Sequence, residues 1–160
     1  MKKWAWLLIS WMIVLLDQGS KHWVTANFMS YDAFPVLPGI NLTLAYNKGV
    51  AFSLLSHIGN AWHRWVLAGF SSIMSGLIVY WIFTLPKQAK GELLALSLIL
   101  GGAVGNLYDR ARLGYVIDFI DVFYKKYHWP VFNVADIAIC IGTILLALAL
   151  CKGAAHREGL

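Results

Sequence analysis

The chain has 160 residues, 59% of them hydrophobic and only 13% charged, with a formal net charge of +5. That composition excludes an ordinary soluble domain of this length and points to one integral-membrane domain over residues 1–160, mainly α. The basic balance suits contact with membrane lipids, and the sequence carries no nucleic-acid signature.

Along the chain, four segments can cross a hydrocarbon layer, which takes about 20 helical residues. The first, residues 4–24, begins after Lys2 and Lys3 and is strictly apolar only to Leu16. It resembles a secretory signal with Val24, Thr25 and Ala26 as a cleavage site, but the polar stretch from Asp17 to His22 argues against processing there. As a span it must carry Asp17 and Lys21, which stand one turn apart in the favourable acid-before-base order and neutralise each other. Residues 27–60 differ in character, with Pro35, Pro38, Gly39 and Gly49, and Ile40–Asn47 alternates apolar and mostly polar residues. This is the period of a half-buried strand, so a small β element lies outside the membrane. The remaining spans are residues 63–85, 92–108 and 131–151, joined by the short loop Pro86–Gly91 and a longer one from Asp109 to Pro130.

Four spans place both termini on one side, and Lys2, Lys3 and the basic short loop make that side the cytoplasm. Many of the eight tryptophans fall near span ends, where an indole ring is part buried and its N–H stays wet. Cys140 and Cys151 are eleven positions apart on the last span, about 16 Å along one helix, so they read as buried packing residues and not as a disulfide. The histidines at 22, 57, 63, 128 and 156 are scattered and read as interfacial, and no His-Glu-x-x-His zinc motif is present.

Two acids sit where a carboxylate is expensive. Asp118 lies in the long loop, and Asp136 falls five residues into the last span with Asn133 one turn before it. The residues from Tyr124 to Pro130 must fold back for the two to meet. Acids in hydrogen-bonding reach of each other share a proton, and such a pair can activate water while polarising a carbonyl. Ion pairs from these acids to Arg110, Arg112 or Lys125 are the competing reading of the same residues. The third span adds Gly101, Gly102 and Gly105 with Asn106 and Arg110; Gly102, Asn106 and Arg110 repeat every four residues along one helical stripe.

The segments Asp17-Gln-Gly-Ser-Lys21, Asn47-Lys-Gly-Val-Ala-Phe52, Gly101-Gly-Ala-Val-Gly-Asn-Leu-Tyr-Asp-Arg110, Val116-Ile-Asp-Phe119 and Phe132-Asn-Val-Ala-Asp136 together resemble the successive motifs of the bacterial lipoprotein signal peptidase family, signal peptidase II. The resemblance runs in order over residues 4–150. It implies an aspartic endopeptidase of the bacterial inner membrane, with four transmembrane helices, a small extracytoplasmic β cradle and an active site on the outer side. It also implies that lipidated prolipoproteins are the substrates, cut before a diacylglyceryl-modified cysteine. Under it Asp118 and Asp136 form the catalytic dyad, while Asn47, Asn106, Arg110 and Asn133 support the dyad or the substrate. Asp17, Lys21 and Asp109 match motif positions, with structural roles at least as fitting. The chemistry needs no metal and no cofactor, and a monomer suffices for it.

A proton- or ion-coupled transporter is a second reading of membrane-embedded Asp, Asn and Arg. It fits less well, because the acids crowd one boundary and the middle of every span lacks a charge. A noncatalytic assembly subunit built on the glycine stripe leaves the acid pair without a purpose.

Overall fold

A computed structural model describes residues 2–30, 32–49 and 60–158. Four helices and four strands follow in the order α1 (Trp4–Asn27), β1 (Ala33–Leu37), β2 (Ile40–Asn47), α2 (Asn60–Thr84), α3 (Lys90–Leu113), β3 (Val116–Tyr124), β4 (Tyr127–His128) and α4 (Val134–Glu158). Three stretches are long and apolar enough to cross a membrane: Arg64–Thr84, Lys90–Leu113 and Val134–Lys152. Helix α1 has comparable length but a less apolar sequence, because Asp17, Gln18, Ser20 and Lys21 interrupt it.

Helix α3 is the hub and packs against the other three. At one end of the bundle, Trp6 of α1, Ile78 and Ile82 of α2, and Leu93, Leu96 and Leu100 of α3 form an apolar core. Partway along, the Ser10 hydroxyl donates to the carbonyl of Ser97 at 2.8 Å, so a polar atom inside the bundle is satisfied. Trp6 therefore belongs to the core, whereas Trp4, Trp11, Trp23, Trp65 and Trp129 are exposed.

Helices α3 and α4 approach so closely that glycine is the residue that fits. A Cβ at Gly102 would run into the carbonyl oxygen of Ala135, and one at Gly142 would sit 2.7 Å from the carbonyl oxygen of Ala95. The third apolar segment also continues past its expected end at Tyr108 to Leu113, because Arg110 and Arg112 complement the negative end of the helix. Gly114, at φ 84, stops it, its N–H bonding the Arg110 carbonyl at 3.1 Å.

The expected strand at Ile40–Asn47 is present, but it belongs to a larger sheet of order β1-β2-β3-β4. Its edges are paired by β1 as far as Thr43 and by β3 along Ile40–Asn47, with a further bridge from Ser30 to Leu44. Among the described residues, Ala45–Asn47 is paired on the β3 side alone. Strand β3 falls where the sequence reads as a loop. Nine residues, Val-Ile-Asp-Phe-Ile-Asp-Val-Phe-Tyr, are rich in β-branched and aromatic side chains, the composition that favours strands. Val24 of α1, Leu44 of β2, and Ile117 and Phe119 of β3 form a second core, which seats the sheet on the end of the bundle.

After β3 the chain reverses through Lys125, at φ 56, and Ile120 bridges back to Phe132. The fold-back expected between Tyr124 and Pro130 is thus made by a short hairpin. Helix α4 starts at Val134, later than expected, so Asp136 lies in its first turn and Asn133 immediately precedes it. Cys140 and Cys151 are exposed rather than buried, because α4 offers its outer face to the surroundings. The expected β region over residues 50–59, with Phe52, lies outside the described residues.

Gly102→Ala should lower stability by about 1–3 kcal/mol, since the added methyl has to push two helices apart. Gly76→Ala, where a Cβ meets nothing within 4 Å, should be neutral or stabilising. Thermal unfolding of the two variants in detergent checks the contrast.

Candidate active site

The site forms where the C-terminal halves of α1 and α3, the N-terminus of α4 and strand β3 converge. Its centre is Asn133. The Asn133 side-chain oxygen accepts the backbone N–H of Asp136 at 3.0 Å, and the Asp136 carboxylate accepts the backbone N–H of Asn133 at 3.2 Å. This reciprocal pair is a capping box, and it fixes Asp136 to the start of α4. The Asn133 amide nitrogen donates in turn to Asp118 Oδ1 at 2.7 Å, to Asn106 Oδ1 at 3.1 Å and to the Ile117 carbonyl at 3.3 Å.

One asparagine thus ties together two acids that lie far apart along the chain. Asp118 also accepts from the Asn47 amide at 2.9 Å, and Asp136 accepts from the Asn106 amide at 2.8 Å. The β2–β3 register, with Ala45 opposite Asp118 and Asn47 opposite Val116, brings Asn47 to that position. Asp118 is 2% exposed, and Asp136 is half-buried.

Burial pushes the Asp118 carboxyl up to about 6. The bond donated by Asn47 opposes the rise, the negative charge of Asp136 adds to it, and the Asn133 bond and the charge of Lys21 pull back down. Among the described residues neither Asp118 nor Asp136 makes an ion pair, so the competing reading, with Arg110, Arg112 or Lys125 as partners, finds no support. Arg110 is half-buried and feels the charges of Asp136, Asp118 and Asp109, the first most strongly, while its hydrogen bond among the described residues is a long 3.5 Å approach to the Asn106 carbonyl.

Beneath the acids lies a buried ion cluster. The Lys21 ammonium bonds Asp17 Oδ2 and Asp109 Oδ2, each at 2.8 Å, and Asn106 Oδ1 at 3.1 Å. The other Asp17 oxygen accepts the Ala135 N–H at 3.0 Å, and Asp109 accepts the Ile117 N–H at 3.2 Å. Asp17 therefore docks α1 on the start of α4, and Asp109 docks α3 on the start of β3. Each expected site residue is in one connected region, including the three motif residues read as structural.

One participant, Gln18, and one separate polar cluster, around His128, are not marked as such by the sequence. Gln18 donates to Asp109 at 2.9 Å, Asp17 at 3.1 Å and the Gly105 carbonyl at 3.2 Å. Its position inside the Asp17–Lys21 motif was the available signal. His128, read as interfacial, lies 2.8 Å from the buried Asp121, which also accepts from Asn41 at 3.2 Å. Strand pairing across β2, β3 and β4 makes that cluster, and no local pattern marks it. Among the described residues, no group of three or more His, Cys, Asp or Glu could hold a metal ion.

Fold and site together define a helical membrane protein with two acids joined by neutral amides at one end of its bundle. Residues 9–152 match the family described as signal peptidase (SPase) II, and the chain belongs to that family of membrane proteases. It is 45% identical over 154 residues to a lipoprotein signal peptidase of Pseudoalteromonas translucida, covering 96% of this chain and 92% of the relative. A lipoprotein signal peptidase of Teredinibacter turnerae is 48% identical over 141 residues, covering 88% and 83%. A bacterial membrane enzyme solved by the in meso method at 1.9 Å resolution superposes with a TM-score of 0.83 at 32% identity, over 92% of this chain and 93% of that one.

Proposed function

We propose that this signal peptidase is an intramembrane aspartic endopeptidase that removes signal peptides from diacylglyceryl-modified prolipoproteins, cutting before the lipidated cysteine. Asp118 and Asp136 are its catalytic pair. The observation that carries this reading is the shared contact to Asn133: both acids are held by amide and backbone donors, and neither is neutralised by a cation among the described residues. Neutral donors hold a carboxyl group in place and favour its charged form less than a cation in contact would, so the pair can carry one proton.

In that one-proton state the ionised member takes a proton from water, and the water oxygen attacks the scissile carbonyl. The protonated member donates a hydrogen bond to the carbonyl oxygen as charge develops there. Proton transfer to the leaving amine then completes hydrolysis. Asn47, exposed at the end of β2, and Arg110 are suited to hold the substrate backbone. A planar guanidinium bonds two acceptors at once, which an ammonium does not.

The protein works as a single-domain monomer in the bacterial inner membrane, its site on the outer side. Helix α1 is a fourth span. Its Leu8, Trp11, Met12, Leu15 and Leu16 are exposed and suited to lipid, while Asp17 and Lys21 are 0% and 1% exposed and face the bundle. The substrate, an apolar helix with a lipid attached, reaches the acids by lateral movement in the bilayer.

Asp118→Asn and Asp136→Asn should each lower the rate of signal-peptide release by about 10²–10⁴-fold or more, without loss of the folded protein, in assays of purified protein with a diacylglyceryl-modified precursor. A chelator should leave the wild-type rate unchanged. Turnover retained in either variant overturns the mechanism.

The pH dependence has a definite sign. The bond from Asn47 favours the charged form of Asp118, so its loss makes that carboxyl hold its proton to higher pH. The pH–rate profile of Asn47→Ala should therefore lie at higher pH than that of the wild type. An unmoved profile would detach Asn47 from the reacting acids.

A further inference from the structure

Lys21 reaches beyond its two acid partners. An ammonium has three protons and no lone pair, and the three acceptors around Lys21 Nζ are Asp17 Oδ2, Asp109 Oδ2 and Asn106 Oδ1. The Asn106 atom facing Lys21 must therefore be the oxygen. The Asn133 amide nitrogen, also only a donor, meets the same oxygen at 3.1 Å. With two donors holding its oxygen, Asn106 is left with one orientation, which aims its amide nitrogen at Asp136 Oδ1, 2.8 Å away.

We infer that Lys21 is a positioning residue for the acid pair: its buried ammonium locks the Asn106 amide with the nitrogen toward Asp136. The inference rests on the reading of Asp118 and Asp136 as the catalytic pair. Without that lock, an asparagine can turn over by rotation about its last side-chain bond and present an oxygen to the carboxylate. Asp17 and Asp109 supply the charge that lets a lysine be buried here, and each also accepts a backbone N–H, from Ala135 and Ile117 respectively. The charged groups around the amide are then Asp17 and Lys21 from α1, Asp109 and Arg110 from α3, Asp118 from β3 and Asp136 from α4.

Replacing Lys21 alone would strand two buried acids and threaten folding. The paired change Asp17→Asn with Lys21→Met keeps the cluster at one net negative charge, and the amide introduced at position 17 retains an oxygen for the Ala135 N–H. Asp109→Asn with Lys21→Met does the same from the other side, preserving an acceptor for Ile117. Both double variants remove the charged one of the two donors on the Asn106 oxygen and leave the Asn133 amide on it.

The measurement is steady-state cleavage of a purified diacylglyceryl-modified precursor, with rates expressed per folded molecule. The expected result is a kcat lower by about tenfold, the scale of one hydrogen bond to a charged group, with KM unchanged. Asn106→Leu should then cost far less in either double-variant background than in the wild type, because the two changes interrupt one connection. A wild-type kcat in a folded double variant overturns the inference, as does a loss of rate that adds fully to that of Asn106→Leu. Asp118→Asn in the same assay separates the two levels. If it retains turnover, the catalytic reading falls; if it is inactive while the double variants behave as wild type, only the role of Lys21 falls.

Discussion

The bundle closes around a lysine. Lys21 is 1% exposed, and a cation that deep is tolerable only because two carboxylates and an amide oxygen replace its water. Each carboxylate in turn grips the backbone of a different element. The ion cluster thus fixes α1 and α3 against the start of α4 and the start of β3, which are the two places that carry Asp136 and Asp118. Asn133 joins the two acids directly, and the cluster seats the elements that carry them.

Above the cluster, neutral groups replace charged ones. Asn133, Asn106 and Asn47 supply the side-chain bonds to the two acids, and Arg110 stays back from both. The division has a physical logic. A cation in direct contact would hold a carboxylate ionised, whereas amide donors fix its position and favour the charged form more weakly. The charges that stabilise the fold and the acids assigned to the reaction are therefore kept in separate layers, and amides connect them.

Much of this was legible in the sequence. Long apolar runs mark helices because lipid and core both demand them, and alternation marks β2, where Leu42 and Leu44 reach the second core. The motif residues were found as a set, and they do meet. What escaped depended on partners distant along the chain. β3 was hidden because its two acids look like loop residues until Asn47 and Asn133 are beside one and Asn41 and His128 beside the other. The cysteines on α4 were read as buried because an apolar helix does not by itself declare which face meets its neighbours. The extension of α3 to Leu113 was missed because polar residues in a last helical turn resemble those of a loop.

The spacing of Asp17 and Lys21 has a consequence for how the protein is made. Chains emerge from the ribosome N-terminus first, so α1 exists before Asp109, Ala135 or Asn106 has been synthesised. Because acid and base stand on one face of one helix, 2.8 Å apart, α1 brings its own counter-charge and can enter lipid as a nearly neutral segment. The later helices then find a partner already balanced, and assembly becomes a matter of adding acceptors to a charge that was never left bare.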